Sequence, residues 1–129
     1  MTAIPGFHAE MRLEGMVAVI SITGYVPKEY VSETNERITA LTAGRCRYVI
    51  LDCSKAERAS SKALGLVAYH ATALRQRGGA FLFVPPAEAV VRRYRAELLA
   101  PLVQFVSSRE EGLAQVAAAL GVGAGQLER

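Results

Sequence analysis

Two short runs without a charged or amide side chain constrain the fold of this chain more than any other feature. They are Tyr48–Leu51 (YVIL) and Ala80–Val84 (AFLFV). A strand with one solvent-exposed face alternates polar and apolar residues, whereas an uninterrupted apolar run predicts a strand that is covered on both faces. The amphipathic helical pattern of Ser60–Arg77 lies between the two runs. A strand, a single helix and a second buried strand predict a right-handed crossover and parallel neighbours.

The segments around this unit extend the sheet. Phe7–Leu13 and Met16–Ile22 read as two strands joined at Glu14-Gly15, which predicts an N-terminal hairpin. Further helical patterns are predicted after Pro27, at Ala87–Leu99 and from Ser107 to Leu120. One more strand is predicted at Val103–Val106.

The resulting order is β-β-α-β-α-β-α-β-α. It predicts a single α/β domain with a mixed, mostly parallel sheet, an N-terminal hairpin and about four helices. We expect a core over about residues 7–120. The glycine-rich end, residues 121–129, is interpreted as a flexible tail.

Composition limits the function classes. The chain has 129 residues, 51% of them hydrophobic, and a formal net charge of +3, which fits a folded domain rather than a disordered one. Its arginines are scattered, so no nucleic-acid footprint is indicated. No apolar run approaches the roughly 20 residues of a membrane span. The N-terminus lacks the features of a signal peptide, and we expect a cytoplasmic protein.

The residue types that support catalysis or metal binding do not converge in the sequence. Cys46 and Cys53 are interpreted as reduced structural thiols. His8 and His70 are expected to be ordinary surface or half-buried histidines. Asp52 follows a buried strand, where we expect it to accept hydrogen bonds from loop N–H groups. We therefore predict no metal, no cofactor and no enzymatic activity.

The order of elements and the residues at their joints resemble the STAS domain. This domain occurs in bacterial anti-sigma factor antagonists and in the cytoplasmic ends of sulfate transporters. The resemblance extends from about Met11 to Leu120. The stretches that carry it are VAVISITG (Val17–Gly24), YVILDCS (Tyr48–Ser54), LRQRGGAFLFV (Leu74–Val84), and Ala87–Leu99 followed by Val103–Leu113.

The resemblance implies a phosphorylation motif at ASSKALG, which begins at Ala59. Counted from Asp52, the family's Asp-Ser-Ser-Gly-Leu-Gly falls on Ser60 to Gly65, and its phosphorylated serine falls on Ser61. Leu64 and Gly65 match, whereas the positions of the family's Asp, second Ser and Gly hold Ser60, Lys62 and Ala63. Taken without the resemblance, Ser60-Ser61 is an ordinary helix cap. The two interpretations are compatible.

The function implied by the resemblance is that of a regulator that binds another protein. The expected partner is an anti-sigma factor with a serine-kinase fold, and ATP would belong to that kinase. The implied contact surface combines the N-terminus of the Ser60–Arg77 helix, the Asp52–Ala59 loop and the Tyr25–Lys28 turn. Its candidate residues are Tyr25, Asp52, Ser54, Ser60, Ser61, Lys62 and Leu64.

Two alternatives remain open at this point. One is a scaffold or regulatory subunit of a signalling or transport complex that is not phosphorylated. The other is a small-molecule or lipid-binding module, which an apolar pocket would support. Self-association is compatible with all of these hypotheses.

Overall fold

The protein forms a five-stranded sheet with helices on both faces. The computed structural model describes residues 4–24, 28–57, 61–86 and 99–127. The strands are β1 (Phe7–Arg12), β2 (Val17–Gly24), β3 (Tyr48–Ala56), β4 (Ala80–Val84) and β5 (Gln104–Phe105). The α-helices are α1 (Val31–Thr42), which a 3-10 turn at Lys28–Tyr30 precedes, α2 (Ser61–Gln76), α3 (Arg109–Leu120) and α4 (Ala124–Leu127).

The spatial order of the strands is β1-β2-β3-β4-β5. β1 and β2 pair antiparallel as a hairpin, and the remaining three pairings are parallel. This confirms the predicted mixed, mostly parallel sheet, and the described residues contain four α-helices. The helix predicted at Ala87–Leu99 lies outside the described residues except for Leu99, which is buried.

The two central strands are covered on both faces, as their uninterrupted apolar runs predict. Successive side chains of a strand point to opposite faces. Val49 and Leu51 of β3 therefore join the cluster that α1 and α2 cover, and Ile50 joins the cluster under α3 and α4. Burial on both faces explains why β3 and β4 read as continuous apolar sequence.

Two glycines allow close approaches, which a larger residue would block at Gly79 and would crowd at Gly112. A Cβ on Gly79 would lie 1.6 Å from the carbonyl oxygen of Arg47, so the turn after α2 can reach the start of β3 only with glycine there. A Cβ on Gly112 would lie 3.1 Å from Cγ2 of Ile50, and glycine brings α3 close to the sheet.

The glycine-rich C-terminal segment differs from the prediction of a flexible tail. Gly121 adopts a left-handed conformation (φ 71°) and caps α3 by donating its backbone N–H to the carbonyls of Ala117 and Ala118. The chain then forms the short helix α4, whose Leu127 is fully buried in the cluster beneath α3. The glycines therefore turn the chain back onto the core, and one apolar residue anchors its end.

Candidate functional site at the carboxyl ends of β2 and β3

The end of β3 carries an irregularity that the sequence did not indicate. We predicted that Asp52 ends this strand, but β3 continues to Ala56. Ser21 pairs with Asp52 and Thr23 pairs with Lys55, so β3 has one residue more than β2 between these pairs. Such a β-bulge bends a strand and redirects side chains. Pairing between β2 and β3 resumes after the bulge, so β3 continues beyond Asp52 as far as Ala56.

Asp52 stabilises this bulge. Its Oδ1 accepts hydrogen bonds from the backbone N–H of Ser54 at 2.9 Å and from the Ser54 hydroxyl at 2.6 Å. A bulge leaves a ladder donor without a strand partner, and the Asp52 carboxylate supplies one. We expected Asp52 to accept from loop N–H groups; it does accept from a backbone N–H, but the donor, Ser54, lies in β3 and not in a loop.

Beyond the bulge, the ends of β2 and β3 are tied together. Gly24 pairs with Ala56, and the N–H of Glu57 donates to the carbonyl of Gly24 at 2.9 Å. Ser54, Lys55 and Glu57 are exposed in this region. We call the set Gly24, Ser54, Lys55, Glu57 and the start of α2 at Ser61 the carboxyl-end surface.

Helix α2 begins at Ser61, and its first turn contains no acidic residue. The backbone N–H groups of a first helical turn lack intrahelical acceptors and lie at the positive end of the helix dipole. The predicted site residues Tyr25 and Ser60 lie outside the described residues, as do the side chains of Ser61 and Lys62.

Leu64 is the one predicted contact residue that the structure places in the interior. Its side chain is 2% exposed and belongs to the cluster under α1 and α2. The expectation of a direct contact at Leu64 is therefore corrected, because burial leaves no surface for a partner to touch. Its role is to hold the first turns of α2 against the sheet.

His70 is buried, and the prediction of a surface or half-buried histidine is wrong. It is 4% exposed, and its Nε2 lies 2.8 Å from Oδ1 of Asn35 on α1. Burial lowers the pKa of His70 because the charged ring loses its water. Helical spacing could have found this residue, since it lies three positions after Val67 and four before Leu74, on the apolar face. His8, in contrast, is exposed.

The cysteines behave as the sequence suggests. Cys46 and Cys53 are both free and buried. Burial raises the pKa of both thiols, that of Cys53 to about 12, so neither is an activated nucleophile. Within the described ranges, no group of three His, Cys, Asp or Glu side chains is placed to hold a metal ion. No helix in the same ranges is long and apolar enough to cross a membrane.

A shallow depression of about 440 Å³ runs along the outer side of α2. The described residues that line it are Gly65, Ala68, Tyr69, Thr72, Ala73 and Gln76. All of them belong to this one helix, so the described walls do not enclose a ligand.

The fold and the sequence agree on one family. The sequence model of the STAS domain matches residues 8–112. The chain belongs to the STAS domain family. No curated protein sequence matches it.

Solved structures extend this comparison. The anti-sigma factor antagonist SpoIIAA in its unphosphorylated form has a TM-score of 0.72 at 19% identity, over 91% of this chain and 98% of that one. The phosphorylated form of SpoIIAA, a Bacillus cell fate determinant, has a TM-score of 0.68 at 22% identity, over 85% and 98%. A serine-to-glutamate variant of RsbS from Moorella thermoacetica has a TM-score of 0.74 at 13% identity, over 94% and 100%. At these identities the likeness establishes the fold.

Proposed function

We propose that this STAS domain is a bacterial, cytoplasmic regulator of the anti-sigma factor antagonist type, which acts by binding another protein through its carboxyl-end surface. The observation that carries the proposal is the locked end of β2 and β3. The bulge at Asp52 and the Glu57–Gly24 hydrogen bond hold exposed Ser54, Lys55 and Glu57 in fixed positions a few residues before α2 begins. A preorganised surface binds with less loss of conformational entropy than a mobile loop.

We further propose that the partner is an anti-sigma factor with a serine-kinase fold and that it phosphorylates Ser61. Phosphorylation adds about −1.5 to −2 charges. The first turn of α2 has no acidic residue, and its N–H groups, which have no intrahelical acceptors, and the helix dipole favour that added charge. A partner that binds the unmodified surface would meet a new negative charge and dissociate. The phosphoryl group would move from the γ-position of the kinase's ATP to the Ser61 oxygen, releasing ADP and a proton.

One sequence observation favours a second candidate, a scaffold that binds its partner permanently. The family's Asp, second Ser and Gly are replaced by Ser60, Lys62 and Ala63, which changes the surroundings that a kinase would recognise. The fold and the carboxyl-end surface are the same under both hypotheses. They differ only in whether Ser61 is modified. The open depression on α2 gives the ligand-binding hypothesis no comparable support.

The decisive experiment mixes the purified chain with ATP and each candidate serine kinase, followed by intact-mass and phosphosite analysis. We expect one phosphate, on Ser61. Ser61→Asp should weaken binding to that kinase about tenfold or more, whereas Ser61→Ala should bind nearly as tightly as the native chain. Thr39→Asp, which adds the same charge at an exposed site on α1, is the control and should have no effect.

Other results separate the hypotheses. A stable complex without phosphate would establish the scaffold and overturn the switch. Equal behaviour of Ser61→Asp and Ser61→Ala would reduce Ser61 to a helix-capping residue. No complex with any candidate would overturn the proposed partner class.

A further inference from the structure

The exposed edge of β1 offers an interaction surface that the proposed function does not use. β1 is an end strand of the sheet, and among the residues that the structure describes it pairs with β2 alone. It spans six residues, whereas the opposite end strand, β5, spans two. A long end strand presents unpaired N–H and C=O groups to another chain, and most proteins shorten or cover such edges.

The hydrogen-bond pattern identifies which backbone groups of β1 face outward. The N–H of Thr23 donates to the carbonyl of Gly6 at 2.9 Å, so the backbone of Gly6 faces β2. In an antiparallel pair this role alternates along the strand, and it falls next on His8, Glu10 and Arg12. Consistently, the N–H of Phe7 turns away from β2 and donates to Ile4 at 3.1 Å. The N–H and C=O groups of Ala9 and Met11 therefore point outward.

Side chains on the same strand are self-complementary. His8 and Glu10 lie on one face, where the Glu10 carboxylate contacts the His8 ring at 3.2 Å and also pairs with Arg12 and Arg109. Met11, on the other face, is 39% exposed and is one of the two large apolar side chains that are exposed in the described ranges. A strand with charges of both signs and an exposed Met does not repel a copy of itself.

We propose that the chain forms a two-fold homodimer in which the β1 strands of two copies pair antiparallel, with Ala9 opposite Ala9. This register places the outward groups of both strands opposite each other, so that Ala9 exchanges two hydrogen bonds with Ala9 of the second copy. Met11 donates its N–H to the Phe7 carbonyl of the second copy, while the Phe7 N–H stays bonded to Ile4. It also places His8 opposite Glu10 of the second copy, and Met11 opposite an aromatic ring.

Neighbouring registers are worse for identifiable reasons. A slip of one residue brings outward groups opposite groups already bonded to β2, and the new ladder cannot form. A shift by two positions toward the strand end places Glu10 opposite Glu10, and like charges directly opposite are destabilising. The dimer would join two five-stranded sheets into one continuous sheet, and it does not depend on the proposed kinase partner.

The test is sedimentation of the full chain over a range of concentrations, with amide hydrogen exchange on the same samples. We expect a reversible shift toward twice the 13.9 kDa monomer mass. In the dimer, the Ala9 and Met11 amides should become protected, while the Glu10 amide, already bonded to β2, should not change.

Two variants and one control locate the interface. Ala9→Pro removes an outward N–H from each copy without touching the β2 ladder, and Met11→Lys places a charge on the edge; each should raise the dimer dissociation constant at least about tenfold. Tyr69→Lys changes the other large apolar residue that is exposed in the described ranges, on α2, and should leave the dimer intact. Circular dichroism checks that Ala9→Pro folds, and Met11→Lys tests the same edge if it does not.

A monomer at every concentration would overturn the proposal. So would a dimer that neither β1 variant weakens, or one that Tyr69→Lys weakens equally, since that result would indicate general apolar association.

Discussion

Helices α2 and α3 cover opposite faces of the same central strands, but their first turns differ in acidic residues. Side chains at the start of α3 accept hydrogen bonds from the backbone N–H groups there. Ser108 caps it by accepting from the Glu111 N–H at 3.1 Å, the Glu111 carboxylate accepts from the Ser107 N–H at 2.6 Å, and Glu110 adds a second negative charge. The first turn of α2 holds no acidic residue.

Their anchoring differs as well. The buried residues of α3 are small or apolar, with Leu113, Val116 and Ala117 against the sheet. α2 buries a polar group among its apolar anchors, since His70 bonds to Asn35 of α1. α3 thus has a self-contained end and an apolar interface, as expected of a structural helix. α2 has a positive end that can receive added negative charge, which is where the proposed switch lies.

The largest expected effect comes from truncating matched anchors. Leu113 on α3 and Leu64 on α2 are each 2% exposed, so replacing either with alanine should lower the free energy of unfolding by about 3 kcal/mol. If the comparison is right, only Leu64→Ala should also weaken partner binding by the folded protein, because it loosens the start of α2. Urea unfolding and binding titrations under strongly native conditions measure the two effects. Equal loss of binding in both variants would erase the functional distinction between the helices.

The buried histidine of α2 should make the stability of the fold depend on pH. Burial lowers the pKa of His70, so the folded state takes up the proton less readily than the unfolded chain. Stability from this group is therefore complete above the unfolded pKa of about 6.5 and declines as pH falls from there toward the lower folded pKa. Unfolding free energies between neutral and mildly acidic pH should show this decline.

Substitutions assign the effect to His70. His70→Gln should flatten the pH dependence in this range, whereas His8→Gln, which replaces an exposed histidine, should not. Asn35→Ala leaves the buried ring without its partner and should cost about 1–3 kcal/mol at neutral pH. An unchanged pH profile in His70→Gln would show that other groups control acid sensitivity.

The elements of this fold that the sequence predicted correctly are those that a local sequence pattern specifies. β4 occurs at Ala80–Val84 as expected, because an apolar run between a double glycine and a double proline leaves little freedom at either end. The cap at Ser108 was similarly readable, since Ser-Arg-Glu-Glu is a local pattern. Local chemistry is what single-sequence reasoning captures.

The errors occurred where a long-range contact decides the outcome. β3 passes Asp52 because β2 offers it a partner beyond the bulge, and no pattern within β3 encodes that register. The C-terminal glycines suggested a tail because the burial of Leu127 beneath α3 is a tertiary contact. His70 is instructive because its spacing placed it on the buried face, and only its polarity argued otherwise. For the site, the sequence indicated Asp52 and Ser54, but their shared role in the bulge required the structure.

The smallest expected effect tests the contrast at the helix ends directly. Ser108→Ala should cost about 1 kcal/mol by removing the cap of α3. Ala63→Glu, which adds a negative charge to the first turn of α2, should instead raise the unfolding free energy by about 0.3–1 kcal/mol and lose that gain in high salt. Ala114→Glu, in the middle of α3 and exposed, is the matched control and should give no gain.

Acid titration of a further variant, Glu111→Gln, tests the same contrast between the helix ends. Hydrogen bonds from Ser107 hold the pKa of Glu111 below its usual 4.5, so its contribution is present above pH 4.5 and is lost as pH falls through the lower folded pKa. Glu111→Gln should remove that part of the acid sensitivity. If Ala63→Glu fails to stabilise while Ser108→Ala costs what we expect, the start of α2 is already satisfied by groups within the chain. The electrostatic argument for phosphate at Ser61 would then lose its basis, even if the fold and the partner surface remained as described.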